Sequence, residues 1–476
     1  MAVLENLEPN GVFKYFEEMC SIPHGSKDTK QISDWIVSFA EKHGLWYMQD
    51  EFDNVIIKKP ATKGYENSAP VILQGHIDMV CEKAADCKKD MEKEGLDIAI
   101  DGDYVFAKGT TLGGDDGIAV SMMLDILASD SYEHPEVEAV FTSDEEIGLI
   151  GATNLDMSSL NGRRLINIDS EAEGIFTVGC AGGNRTECAI PLSTEVFDGE
   201  YRTIKVSGLL GGHSGVEIDK GRANANILLG RVLSAIKSEF RIVTVNGGLK
   251  DNAIPREAYA VIKTKFTDEL VKICEKCQEE LIEEYKDTDK DITVSVVCEG
   301  EGVPFDSESS KKIISFLANT PNGIIKMNEY IETLVQTSLN LGVLKTEENK
   351  MLASFGVRSS VDSEKAELTN SLKTLSESLG GNISVSGDYP GWDYTGSSEL
   401  KDLMVSVFEK QYGYKPEVVT IHAGLECGLF SGKIEGLDCV SIGPDMKDIH
   451  TCTERMSISS VKRVFAMILE ILKQMK

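Results

Sequence analysis

The chain has 476 residues, longer than one hydrophobic core usually serves, so two domains are the starting expectation. Its 41% apolar content is that of a soluble globular protein, with no run near the roughly 20 apolar residues a bilayer span needs, which excludes a membrane protein. A formal charge of −30 excludes a nucleic-acid-binding surface, since phosphates demand lysine and arginine.

The first segment, MAVLENLEPNGVFKYFEEM, is acidic and lacks a basic stretch followed by an apolar block, so it does not read as a secretory leader. Eleven cysteines are scattered without a disulfide framework, which fits reduced thiols and a cytoplasmic location. Cys274 and Cys277 form an isolated C-x-x-C inside a helix-like run, with no second pair to complete a zinc site, and read as ordinary helix residues.

In chain order, VILQGHIDMV is an apolar strand that turns polar at its end. The glycine-acid loop LGGDDG enters the apolar helix GIAVSMMLDILAS. VEAVFTSDEE is a second buried strand ending in acids, and RLINIDSE is a third. The alternation predicts an α/β domain with a mostly parallel sheet flanked by helices, its polar residues gathered at the carboxyl ends of strands.

From about residue 187 the pattern changes to an α+β character. TIKVSGL, the helix RANANILLGRVLSAIKS, EAYAVIKTKF and the cysteine-pair helix form one βαβ-like set. ITVSVVCEG, KKIISFLAN, MLASFGVRSS, the helix SEKAELTNSLKTLSESL and NISVSGDY form a second. The expected organisation is a catalytic first segment over 1–186, an inserted lid over 187–390 and a catalytic second segment over 391–476. The glycine- and proline-bearing GDYPGWDYTG marks the return.

Five places put an acid or an imidazole just after an apolar strand or before a helix. His76 and Asp78 in GHID are two apart, a spacing that suits a metal-binding imidazole whose second nitrogen is held by a carboxylate. Asp115 and Asp116 follow two glycines before a helix. One is expected to cap that helix, leaving the other free to bridge metals. Three crowded acids, Asp144, Glu145 and Glu146, need a nearby cation or full solvation. Asp169 and His450 repeat the theme. Singly each has an ordinary structural reading, as a cap, a solvated loop or a buried histidine. Together they form the ligand set that zinc accepts, with either Glu145 or Glu146 left over as a base.

GHIDMV, LGGDDGIAV, SDEEIGLIGA, NIDSE, GLLGGHSG and the late IH resemble the co-catalytic zinc peptidase family of aminoacylases, carboxypeptidases and dipeptidases. NAIPREA, SSVDS and HAGLECG are closest to its dipeptidase branch, and the similarity runs nearly end to end. The resemblance implies hydrolysis of dipeptides, Xaa-His or broader, at two Zn2+ ions, with Co2+ or Mn2+ as substitutes. A deacylase or tripeptidase on the same scaffold, or a silent metal-binding protein, is the alternative. It implies that Asp115 bridges the ions, that His76 and Asp169 lie on opposite ions, and that Glu146 and His450 complete the two shells.

By the same resemblance Asp78 orients His76 and Glu145 is the general base. A lid interrupting the catalytic domain carries His213 over the scissile carbonyl as an oxyanion donor, in the same subunit or a partner. Asn252 and Arg358 would hold the substrate's carboxylate or carbonyl. His422 and Gly424, with Glu426, lie on a loop near the site. The implied partners are dipeptide substrates and a second copy of the chain, joined through the lid, with neither nucleic acid nor membrane.

Overall fold

A computed structural model describes residues 3–329, 334–347, 349–394 and 396–476. The chain divides into two compact units. The first comprises Met1–Cys180, Tyr394–Thr420 and Leu425–Lys476, and the second comprises Ala181–Asp393 and Ile421–Gly424.

The first unit is built on an eight-stranded sheet. Its strands Val71–His76 and Val137–Thr142 are buried at every position, as mostly apolar strands of a covered sheet are, and Gln74 and Glu138 are buried with them. Val71–His76 pairs in parallel with Val137–Thr142 on one side and with Arg164–Asn167 on the other. Arg164–Asn167 pairs in parallel with Asp438–Ser441. The sheet is mixed, because antiparallel neighbours flank these four strands: Val55–Lys59 on one side and Ile175–Cys180 on the other.

Helix Gly114–Ala128 is apolar on all sides and buried over most of its length, so it sits inside the core rather than on the surface. The helix Ile458–Gln474 instead buries one stripe, Val461, Val464, Phe465, Ile468, Ile471 and Leu472, and starts at Ser457, whose side chain accepts the Ser460 N–H. Among the described residues no helix is long and apolar enough to cross a membrane.

The second unit is a nine-stranded sheet whose pairings are antiparallel, covered by the helices Ala225–Ala235, Thr267–Glu284, Ser307–Asn319 and Asp362–Ser378. The expected βαβ-like set is a split one. Glu200–Ser207 and Phe240–Gly247 run parallel to each other, but Ala258–Thr264 lies between them and pairs antiparallel with both. The two sets read from the sequence meet in this one sheet where Glu200–Ser207 pairs with Thr293–Val297, and again where Asn246 stands opposite Lys345 and Gly247 opposite Leu344. Cys274 is buried in the second unit's core and Cys277 packs against it, as helix residues.

Candidate metal centre

His76 is the last residue of Val71–His76. The chain leaves that strand for Val137–Thr142 on one side and then passes to Arg164–Asn167 on the other, so the order reverses at this strand. Open α/β sheets place their sites in the crevice at such a reversal, beyond the carboxyl ends of the strands. Asp144–Glu146, Asp169 and the segment leading to His450 follow the neighbouring parallel strands at the same end.

The five residues read as ligands come together. Asp115 Oδ1 lies 3.2 Å from His76 Nε2, and Asp115 Oδ2 lies 3.1 Å from His450 Nε2. Asp169 Oδ1 is 3.6 Å from His76 Nε2, and Glu146 Oε1 is 2.8 Å from His450 Nε2. His76 Nδ1 is turned the other way, 3.0 Å from the Asp78 carbonyl and 3.4 Å from Asp78 Oδ1. Both of those are acceptors, so Nδ1 is the donor toward Asp78, which leaves Nε2, facing two carboxylates, as the nitrogen available to an ion. Among the described residues, three donor sets lie close enough to hold an ion: His76 with Asp116 and Asp169, His76 with Glu145 and Glu146, and Asp115 with Glu146 and His450.

The electrostatics ask for positive charge. Burial pushes the His76 imidazolium down, but Asp115, Asp169 and Asp78 outweigh it and raise the ring well above its ordinary range. Contacts with Asp115 and Glu146 lift His450 to about 10. Burial, relieved only in part by His76 and worsened by Asp115 and Glu146, raises Asp169 to about 6. Burial raises Glu145 well above the usual carboxylate range, with Asp169, Glu426 and Glu146 adding to it. Carboxylate oxygens and imidazole nitrogens converging with lone pairs inward fit divalent ions of the zinc type.

The helix start behaves differently from expectation. Neither Asp115 nor Asp116 caps Gly114–Ala128; both have non-helical backbone there. The capping is done by Glu454, a buried carboxylate that accepts the N–H groups of Leu112 (2.8 Å), Gly113 (3.2 Å) and Gly114 (2.8 Å). This frees both oxygens of Asp115. Asp116 is wholly buried and accepts the His76 N–H at 3.2 Å through Oδ2, which holds the strand end beside the helix.

Asp78 Oδ2 accepts from Ser26 Oγ at 2.8 Å, and its carboxylate also takes the N–H groups of Glu145 (3.0 Å) and Glu146 (3.4 Å). Burial would raise Asp78, but His76, Ser26 and the Glu145 N–H outweigh it and hold the acid below its usual range. Beneath the site, Glu426 is fully buried and accepts from Gln74 Nε2 at 2.5 Å and Thr142 Oγ1 at 2.7 Å. Asn167 Nδ2 donates to Gln74 Oε1 at 2.7 Å. At the rim, packing and the charges of Asp115 and Asp169 push Glu171 up to about 7. Sequence reasoning missed the roles of Glu454, Glu171 and this buried network. Glu454 and Glu171 are acids within two to four residues of predicted ligands, which is the one signal that could have drawn attention to them.

In the second unit the remaining predicted residues gather around Gly215. A Cβ there would stand 2.6 Å from the His422 carbonyl, 3.0 Å from His213 Cε1 and 3.2 Å from Arg358 Nε. The Gly215 and Val216 N–H groups donate to His213 Nδ1 at 3.1 and 3.2 Å, so its Nε2 carries the proton. Burial and the Arg358 charge lower its pKa and keep the ring neutral. Arg358 Nη1 donates to the Tyr389 hydroxyl at 3.2 Å, while its Nε is buried without a partner. His422 Nε2 is 2.6 Å from Ser338 Oγ, and a side chain on Gly424 would strike the Tyr389 ring. The carbonyl of Asn252 accepts the Ser214 N–H, and its side chain is exposed.

The comparisons with known proteins agree with this picture. Residues 204–289 match the model of the peptidase dimerisation domain of the M20 family. The cytosol non-specific dipeptidase of Escherichia coli (strain K12) is 36% identical, over 100% of this chain and 99% of its own length. The crystal structure of aminoacylhistidine dipeptidase from Vibrio alginolyticus superposes with a TM-score of 0.94 at 37% identity, covering 99% of this chain and 98% of that one. The fold alone is shared with aminopeptidase PepT from Bacillus cereus ATCC 10987, at a TM-score of 0.57 and 14% identity over 98% and 99% of the two chains. Fold and sequence thus define a metallopeptidase of the M20 class. Within that class, the chain belongs to the cytosol non-specific dipeptidase family.

Proposed function

We propose that this protein hydrolyses dipeptides at a pair of divalent metal ions, zinc in the first instance, held by His76, Asp115, Glu146, Asp169 and His450. The observation that carries this reading is the pose of Asp115, whose two oxygens each face a different imidazole at 3.2 and 3.1 Å. A carboxylate shared in that way suits two ions about 3.5–4 Å apart. Bound ions of this kind supply Lewis acidity, polarising the scissile carbonyl and bringing a water's pKa toward neutrality.

Glu145 is left to handle protons. Its raised affinity for a proton suits a group that takes one from water and returns it to the leaving amine. Asp78 fixes the tautomer of His76 and the backbone under Glu145 at once. His213 offers Nε2–H as a neutral donor for the developing oxyanion, from this chain or from a second copy. Arg358, with its unpartnered Nε, offers the cation for the substrate's terminal carboxylate, and Asn252, His422 and Gly424 shape that binding surface. The dimerisation-domain match supports a homodimer joined through the second unit. The absence of a disulfide among the described residues, in a chain with eleven cysteines, supports a reducing, cytoplasmic setting.

The test is metal analysis of the purified protein alongside a dipeptide panel, on the wild type and on Glu145→Gln. The expected result is two ions per chain in both proteins, with turnover of dipeptides lost by about 10²–10⁴-fold in the variant. Near wild-type turnover by Glu145→Gln would remove the base, and a metal-free active wild type would end the reading.

A further inference from the structure

Arg358 is a cation without an anion. The chain holds 78 acidic side chains against 48 lysines and arginines, yet among the described residues no carboxylate pairs with this guanidinium. Its Nε is buried with no acceptor, and Nη1 donates to the Tyr389 hydroxyl at 3.2 Å. A buried N–H of a charged group, left unsatisfied, marks a place for an acceptor from outside the chain.

The sheet explains why Tyr389 stands beside it. Gly183 lies opposite Arg358 on one side and opposite Tyr389 on the other, so the three form a row across neighbouring strands. Directly opposed residues of antiparallel strands share a face, and the middle one here carries no side chain. A Cβ on Gly183 would stand 2.7 Å from Tyr389 Oη, and one on Gly424 would stand 2.7 Å from the ring's Cε2. The phenol thus lies across Gly183, with its hydroxyl brought to the guanidinium. Lys365 Nζ donates to the Tyr389 carbonyl and ties down the backbone there. A tyrosine hydroxyl both accepts and donates. This one accepts from Arg358 and, among the described residues, has no acceptor for its own proton.

We propose that Tyr389 is a second ligand for the substrate's terminal carboxylate, its hydroxyl accepting from Arg358 and donating its own proton to a carboxylate oxygen. The inference rests on the dipeptidase reading above, in which Arg358 meets that carboxylate. Together the two residues make a specificity device that selects a free carboxyl end. Glycyl-histidine and glycyl-histamine test it, because the second has a hydrogen where the first has its carboxylate.

Tyr389→Phe keeps the ring over Gly183 and Gly424 and removes only the hydroxyl. In the full-length metal-loaded enzyme it is expected to lower kcat/KM for glycyl-histidine about 10-fold or more, mainly through KM. The binding of glycyl-histamine, read as KM or as the inhibition constant if it turns over slowly, is expected to move less than about 3-fold. A hydroxyl with a merely structural role would cost both compounds alike. Equal losses for the two, or an unchanged KM for glycyl-histidine in Tyr389→Phe while Arg358→Gln raises it, would overturn the assignment of Tyr389 alone. An unchanged KM in Arg358→Gln would overturn the role of Arg358 and this inference together.

Discussion

Asp78 Oδ1 accepts the main-chain N–H of Glu145 at 3.0 Å while the same residue's carbonyl faces His76 Nδ1 at 3.0 Å. One buried residue thus couples the ligand imidazole to the loop that carries the candidate base. Replacing it should damage two functions together. Asp78→Ala is expected to weaken metal binding by about 10–100-fold, the usual loss when a ligand's outer partner is removed. It should also lower kcat at saturating metal, because the Glu145 loop loses its anchor. Metal titration against a chelating indicator, followed by kinetics at saturating metal, separates the two effects. Full recovery of kcat under saturation would show that Asp78 serves His76 alone.

Asp115 and Asp116 are adjacent, yet they occupy different chemical positions. Asp115→Ala is expected to lose metal and activity together. Asp116→Asn keeps an acceptor for the His76 N–H and should retain both within a few-fold, whereas Asp116→Ala leaves that donor unpaired at a cost of about 1–3 kcal/mol. Metal content and thermal unfolding of the three variants check this. Loss of one ion by Asp116→Asn would make Asp116 a ligand.

Glu454 is the residue that lets Asp115 avoid capping work. Removing it strands three N–H groups at a buried helix start. Glu454→Ala is expected to destabilise the first unit by about 2–3 kcal/mol or more, and to weaken metal binding without touching a metal. Glu454→Gln, which retains one acceptor, should fall between. Denaturant unfolding with and without divalent metal measures both effects.

His422 is buried in the second unit, and burial followed by the Arg358 charge lowers its pKa to about 4. Between about 4 and the ordinary value near 6.5, the unfolded chain binds a proton that the folded chain refuses. Stability from this group is therefore complete above about 6.5 and declines as the pH falls toward 4, by on the order of 2–3 kcal/mol. His422→Gln should flatten that slope. Melting curves at pH 4.5 and 7.5 for both proteins give the comparison, and identical slopes would exclude His422 as the source.

Much of the centre was legible because of where its residues stand. GHID, SDEE and NIDS each end an apolar run, and a buried parallel sheet gives such endings one common place to meet. The part that stayed hidden is long-range. Gly114 finds its cap 340 residues away at Glu454, and no local pattern announces that Asp115 is spared. Gln74 and Asn167 look like interruptions of apolar strands until Glu426 arrives from a distant helix to join them. In the lid, local periodicity gave the strands and helices, but their interleaving into one antiparallel sheet depends on pairings such as Asn246 with Lys345 that spacing does not encode.

The cradle that Glu454 forms beneath the Leu112–Gly114 loop also sets an order of events. During synthesis the ribosome delivers His76, Asp115, Glu146 and Asp169 long before His450 and Glu454 emerge, so the nascent chain displays a half-built acidic pocket with its loop unsupported. On the metal-centre reading proposed above, full loading with metal would wait until those late residues are translated and docked. An amino-terminal fragment released early would then be a weak, unselective cation sponge rather than a working hydrolase.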